Sequence, residues 1–361
     1  MTSFTLMRLT VAAALTALAS APLPALAQAA NAAPAAQAAA SAPQYPQVPP
    51  PPYVTPDTPQ GTGPHPAIMR SDAGLPTHTL YHPQQLARLG TDKLPLVVWG
   101  NGACVNTGNR FRYFLTEIAS HGFLAVALGP IGPKEAERTT GGSSTVRGEP
   151  AAGSPAGVLV AGGRVPRDAA TARVSAAYTF SNQFIDAIDW ATAENRREGS
   201  PLQGRIDLNR IAVMGQSCGG VQAIDAARDP RVTTLGVWNS GLFDGDLRAW
   251  EIAGARVTKR DIPLLRTPAI YVTGEPSEVA FNNANDDLAR YQGVPVFRAW
   301  REHTGHSGTY REPNGGAYAP VAVAWLQWQL KGDTQAARQF KGADCGLCRD
   351  PLWHVQRFRL D

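Results

Sequence analysis

The chain has 361 residues, 43% of them apolar and 17% charged, so it can bury a sizeable core and is not disordered as a whole. Its formal net charge of +4 is mild and evenly spread, which leaves no case for a nucleic-acid reader or a binder of anionic membrane surfaces.

The first stretch, MTSFTLMRLTVAAALTALASAPLPALAQ, reads as a secretory signal. Arg8 supplies the positive charge, Leu9 to Ala19 form a short apolar segment, and Ala25-Leu26-Ala27 is a cleavage site. Residues 1–27 are therefore expected to be removed, and the mature chain to be secreted or periplasmic. The alternative is an anchor that stays attached. No later stretch reaches about 18 uninterrupted apolar residues, so no membrane insertion is expected after cleavage. Residues 28–60 are rich in Ala and Pro, with an unbroken run from Pro49 to Pro52, and read as a disordered tether. Residues 61–361 are expected to form the folded domain.

Within that domain strands and helices alternate. THTLYHP (Thr77–Pro83) suggests an early strand, and LPLVVWG (Leu94–Gly100) a strand covered on both faces. NRFRYFLTEIASHG has helical spacing and stops at Gly122, followed by the strand FLAVALG. YTFSNQFIDAIDWATAEN, starting at Tyr178, places Phe180, Phe184, Ile188 and Ala191 on one helical face. Strand RIAVMG, helix GGVQAIDAARD, strands TTLGVWN, PAIYVTG and VPVFRAW, and helix AVAWLQWQLKGD complete the series. The pattern predicts an α/β fold with a mostly parallel sheet and helices on both faces. A Gly-, Ser- and Arg-containing insert from Pro130 to Ala170 lacks periodicity and reads as a lid or as a floppy insertion.

Gly215-Gln216-Ser217-Cys218-Gly219 is a G-x-S-x-G motif. An apolar strand leads into it and a helix leads out, the context that holds a nucleophilic serine on a sharp turn. An ordinary helix cap is the competing reading. A serine hydroxyl needs a base. His306, between Gly305 and Ser307 after the last strand, is the leading candidate, with His303 behind it. The acid that orients the base is expected at Glu278, with Glu275 and Asp244 as alternatives. The oxyanion of the tetrahedral intermediate needs backbone donors. Cys218, after the nucleophile, is one candidate; the loop NGAC supplies the other, with Ala103 preferred over Gly102 and Cys104. The GNG of that loop is not a dinucleotide fingerprint, because Val105 stands where the third glycine belongs. No cofactor and no metal is expected. Trp99, Trp238 and Trp300 fall near strand ends, where they line a pocket or belong to the core.

These residues, in the order Ser217, Glu278, His306, resemble the α/β-hydrolase family over roughly Gly61 to Cys348. The resemblance is nearest to its secreted esterase, dienelactone-hydrolase-like and polyester-hydrolase-like branches. It departs in having Asn101-Gly102 where many relatives have His-Gly, and Glu where many have Asp. The resemblance implies that the elbow and the oxyanion loop are neighbours, and with that a Cys104–Cys218 disulfide, leaving Cys345 and Cys348 to close a small loop. Four cysteines allow three pairings, and an unpaired Cys218 is the alternative. The expected activity is that of a serine carboxylic-ester hydrolase working on a small-molecule or polymer ester, as a monomer. A peptidase, a thioesterase, a lactonase or a non-catalytic binding protein on the same fold are the other readings.

Overall fold

Strand β3 (Leu94–Gly100) is buried at every position, as its unbroken apolar run requires. It lies inside a nine-stranded sheet with the order β1-β2-β4-β3-β5-β6-β7-β8-β9. The other strands are β1 (Ala67–Arg70), β2 (His78–Pro83), β4 (Leu124–Leu128), β5 (Ile206–Gln216), β6 (Thr234–Trp238), β7 (Ala269–Thr273), β8 (Val296–Arg301) and β9 (Trp353–Phe358). This is a computed structural model, and it describes residues 60–134, 178–243 and 254–360. The signal segment, nearly all of the tether, most of the insert from Pro130 to Ala170, and Asp244 lie outside the described residues.

β3 to β8 run parallel. β1 and β2 at one edge and β9 at the other are antiparallel to their neighbours. Alternate side chains of each strand point to opposite faces, so the sheet carries two cores. On one face Leu96, Val98, Val213 and Leu235 pack with three helices. These are α2 (Asn182–Glu194), α3 (Cys218–Ala226) and α4 (Phe281–Arg290), which contribute Phe184, Ile188, Val221, Ile224 and Leu288. On the other face Val97, Trp99, Met214 and Phe297 pack against α1 (Arg112–Ser120) and α5 (Tyr318–Lys331). A short helix, α6 (Thr334–Ala337), follows, its N-terminus capped by Asp333. The parallel strands all end at one edge of the sheet, and the loops leaving that edge carry the motif residues.

The elements expected from the sequence are present, with differences at their ends. α2 begins at Asn182 rather than Tyr178. Tyr178 instead forms a β-bridge with Val105, and the Thr179 N–H donates to the Cys104 carbonyl at 2.7 Å, so this segment is drawn onto the loop after β3. β1, α4, α6 and β9 add to the expected series. α4 is held by a buried carboxylate: Asp287 accepts the Leu242 N–H at 2.9 Å and pairs with Lys259 at 3.1 Å.

Two histidines of β2 are locked in the neutral form. His78 is fully buried, and its Nε2–H donates to the Gln183 carbonyl at 3.0 Å. The Nδ1–H of His82 donates to the Pro83 carbonyl at 2.8 Å, while its Nε2 accepts the Arg70 Nε–H at 2.8 Å. A second ring proton on His82 would face that donor. Burial pushes both pKa values down to about 4, below the usual 6.5 of an unfolded chain. The unfolded state therefore binds more protons between these values, and stability is lost as pH falls from about 6.5 to about 4, by up to about 3 kcal/mol per histidine. The melting temperature should drop across this window, and His82→Gln should shallow the drop; a slope unchanged by the substitution would refute the assignment.

Candidate active site

β5 ends at Gln216 and α3 begins at Cys218, leaving Ser217 on the turn with φ 53° and ψ −121°. The Ser217 N–H donates to the Trp238 carbonyl at 3.0 Å, and the Ser240 hydroxyl donates to the Ser217 carbonyl at 2.6 Å, so the strained turn is tied to the end of β6. Its flanking glycines answer to close backbone packing. A Cβ on Gly215 would lie 2.2 Å from the Gly219 carbonyl oxygen, and one on Gly219 would lie 2.1 Å from the Gly100 carbonyl.

His306 Nε2 lies 2.9 Å from Ser217 Oγ, and His306 Nδ1 lies 2.8 Å from Glu278 Oε2. A carboxylate only accepts, so Nδ1 carries the proton and Nε2 accepts the serine hydroxyl. The Glu278 side chain is completely buried, and its Oε2 also accepts the Ala280 N–H at 2.8 Å. Arg298 of β8 supports this carboxylate from within the core. Its guanidinium donates to Thr273 Oγ1 at 2.7 Å and to Asn285 Oδ1 at 3.2 Å. Burial pushes the Arg298 pKa down to about 10, and the charge of Glu278 opposes that fall. The His306 loop is fixed by its backbone: Gln216 Nε2 donates to the His306 carbonyl at 3.0 Å, and Asn239 Nδ2 to the Gly305 carbonyl at 3.3 Å.

The alternative residues meet each other instead. The exposed His303 donates its backbone N–H to Glu275 Oε2 at 3.1 Å. Trp99 and Trp238 are fully buried, within an aromatic cluster that includes Phe114 and Tyr310, so they belong to the core. Trp300 is partly exposed and stacks on His354 of β9 at 3.7 Å.

The loop after β3 makes a tight turn over Gly102–Cys104, with Ala103 (φ 53°) and Cys104 (φ 49°) in the left-handed region. Asn101 Nδ2 braces this turn by donating to the carbonyls of Val105, Thr107 and Leu128 at 3.1, 3.1 and 2.7 Å. A Cβ on Gly102 would fall 1.8 Å from Gln216 Oε1, so a side chain there would displace the amide that holds the His306 carbonyl. Cys104 and Cys218 form a disulfide with Cα atoms 5.2 Å apart, and Cys345 pairs with Cys348. Among the described residues no group of His, Cys, Asp or Glu could hold a metal ion.

Sequence reasoning passed over Asn101, Gln216, Asn239 and Arg298 as supporting residues. A signal existed: each is a polar side chain at the end of, or inside, an otherwise apolar strand run, where burial demands a partner.

The two disulfides should differ in what they stabilise. By loop-closure entropy, joining residues 114 apart stabilises by about 4–5 kcal/mol, and joining residues 3 apart by about 2 kcal/mol. Unfolding of the double variants Cys104→Ala/Cys218→Ala and Cys345→Ala/Cys348→Ala measures this. The first pair should also lower turnover of an activated ester; equal losses of stability with no loss of turnover would refute the distinction.

Residues 168–343, a segment that contains the elbow, Glu278 and His306, match a family model described as PET hydrolase-like. No curated protein matches the chain. With this sheet and this elbow the chain has the α/β-hydrolase fold, and over residues 168–343 it is similar to the PET hydrolase-like family.

Proposed function

We propose that the protein is a secreted or periplasmic serine carboxylic-ester hydrolase that works through an acyl-enzyme on Ser217. The observation that carries this reading is the unbroken series of hydrogen bonds from Ser217 Oγ through His306 to Glu278. His306 Nε2 takes the serine proton as Oγ attacks the ester carbonyl, then gives it to the leaving alcohol. Glu278 holds the Nδ1–H tautomer and stabilises the imidazolium from a fully buried position. The backbone N–H groups of Cys218 and Ala103 receive the oxyanion, each such donor contributing about 3 kcal/mol. Water then enters by the same base and releases the acid. No cofactor is required. The two disulfides suit an oxidising compartment, in keeping with the secretory signal. The substrate is a small-molecule or polymer ester, and the protein acts as a monomer without nucleic acid or an inserted membrane segment.

The test is labelling by a fluorophosphonate together with turnover of p-nitrophenyl esters of increasing acyl length. Ser217→Ala should abolish labelling and reduce turnover by about ten-thousandfold or more. Glu278→Gln, which preserves shape but offers the wrong tautomer a partner, should reduce kcat by about ten-thousandfold. A folded wild type that is neither labelled nor active would sink the reading.

A further inference from the structure

Among the described residues, two arginines at this edge of the sheet have no carboxylate partner. Arg110 lies between the turn at Gly102–Cys104 and the start of α1, and Arg311 lies on the loop that carries His306. Their chain neighbours Phe111 and Tyr310 pack edge to face with ring centroids 5.1 Å apart, which brings the two loops together, near enough for the charge of Arg110 to act on Arg311. Both Nε atoms are buried with no hydrogen-bond partner. By contrast, Arg197, Arg231 and Arg290 each hold a carboxylate. Glu312 follows Arg311 in the chain, but its carboxyl feels Arg301. Burial lowers the pKa of both guanidiniums, and the charge of Arg110 helps push Arg311 down to about 9.

Two desolvated like charges destabilise a fold, a cost that a bound anion would relieve. The backbone around it is fixed. Asn109 Oδ1 accepts the Gly132 N–H at 2.8 Å, and Tyr310 donates its hydroxyl to Asn239 Oδ1 at 2.6 Å. Asn239 in turn holds Gly305, next to His306. Each arginine thus belongs to a loop that also forms the ester site, one beginning at Ala103 and the other at His306. Guanidinium forks match the two oxygens of a carboxylate.

We propose that Arg110 and Arg311 bind a free carboxylate on the ester substrate, which makes the preferred substrates monoesters of dicarboxylic acids, acid-terminated polyester chain ends included. This rests on the ester-hydrolase reading above.

The test compares p-nitrophenyl hemiglutarate with the neutral p-nitrophenyl pentanoate. In the wild type kcat/KM should favour the hemiester by about ten- to hundredfold, mainly through KM, with the preference shrinking as salt rises. Arg110→Gln and Arg311→Gln should bring the ratio toward one, and Arg311→Lys should restore part of it. Both Gln variants should melt at a higher temperature than the wild type, because they relieve the buried repulsion; an arginine with a merely structural role would lower it. Binding is read separately on Ser217→Ala: monomethyl glutarate should raise its melting temperature, and should fail to do so once Arg311→Gln is added. Inorganic phosphate giving the same rise would mark a general anion site and overturn the substrate assignment. Equal kcat/KM for the two esters, or a ratio untouched by the substitutions, would overturn it while leaving the ester-hydrolase reading intact. If neither ester is cleaved, that reading fails, and the binding experiment on Ser217→Ala decides for or against carboxylate recognition on its own.

Discussion

The contact between Gly100 and Gly219 is the constraint on which the site depends. It is backbone against backbone: a Cβ on Gly100 would lie 2.7 Å from the Gly219 carbonyl oxygen, and the reverse substitution is tighter still. The end of β3 and the first turn of α3 therefore touch without any side chain between them. This sets the distance from Ser217 to the turn at Gly102–Cys104. The Cys104–Cys218 bond spans the same seam, so a steric and a covalent constraint act together. Ala103, Cys104 and Ser217 all have positive φ, a conformation that costs about 1–3 kcal/mol at each non-glycine residue. Such strain persists only where the surroundings over-determine it, as they do at this seam.

Around the seam, polar side chains tie one loop to another. Asn101 braces its own turn and reaches the end of β4, Gln216 joins the elbow to the His306 backbone, and Asn239 joins β6 to Gly305. Behind them, Arg298 sits beneath Glu278, and Asp287 holds α4 through Lys259 and the Leu242 N–H. The loops that carry Ser217 and His306 are thus held at their backbones, with Ser217 Oγ and His306 Nε2 aligned at 2.9 Å. A pair aligned this way needs little reorganisation when charge develops.

Much of this was legible in the sequence, for identifiable reasons. β3, β4 and the end of β5 are apolar runs because they are buried on both faces, and such runs read as strands without ambiguity. The elbow was legible because its glycines answer to a steric demand that only glycine meets. α4 was not. Its sequence FNNANDDLAR offers only Ala284 and Leu288 as buried apolar positions, and the third buried residue is Asp287, so the apolar period is broken by a charge that needs Lys259 from a distant loop. β9 reads as a polar tail because it is an edge strand whose residues after Trp353 are all half-buried or exposed. The arginine pair was equally hidden, since nothing in the local sequence around Arg110 or Arg311 says that Phe111 and Tyr310 meet.

The pairing of the cysteines has a consequence for how the chain matures. In chain order the four are Cys104, Cys218, Cys345 and Cys348, and the bonds join the first to the second and the third to the fourth. This is the consecutive arrangement, the one reached when an oxidant acts on thiols in the order in which they emerge. A polypeptide threaded N-terminus first into an oxidising compartment would close the Cys104–Cys218 bond before either later thiol arrived to compete. For a chain exported in that way the connectivity seen here would need no shuffling enzyme, and the seam would be sealed while the C-terminal part of the protein was still in transit.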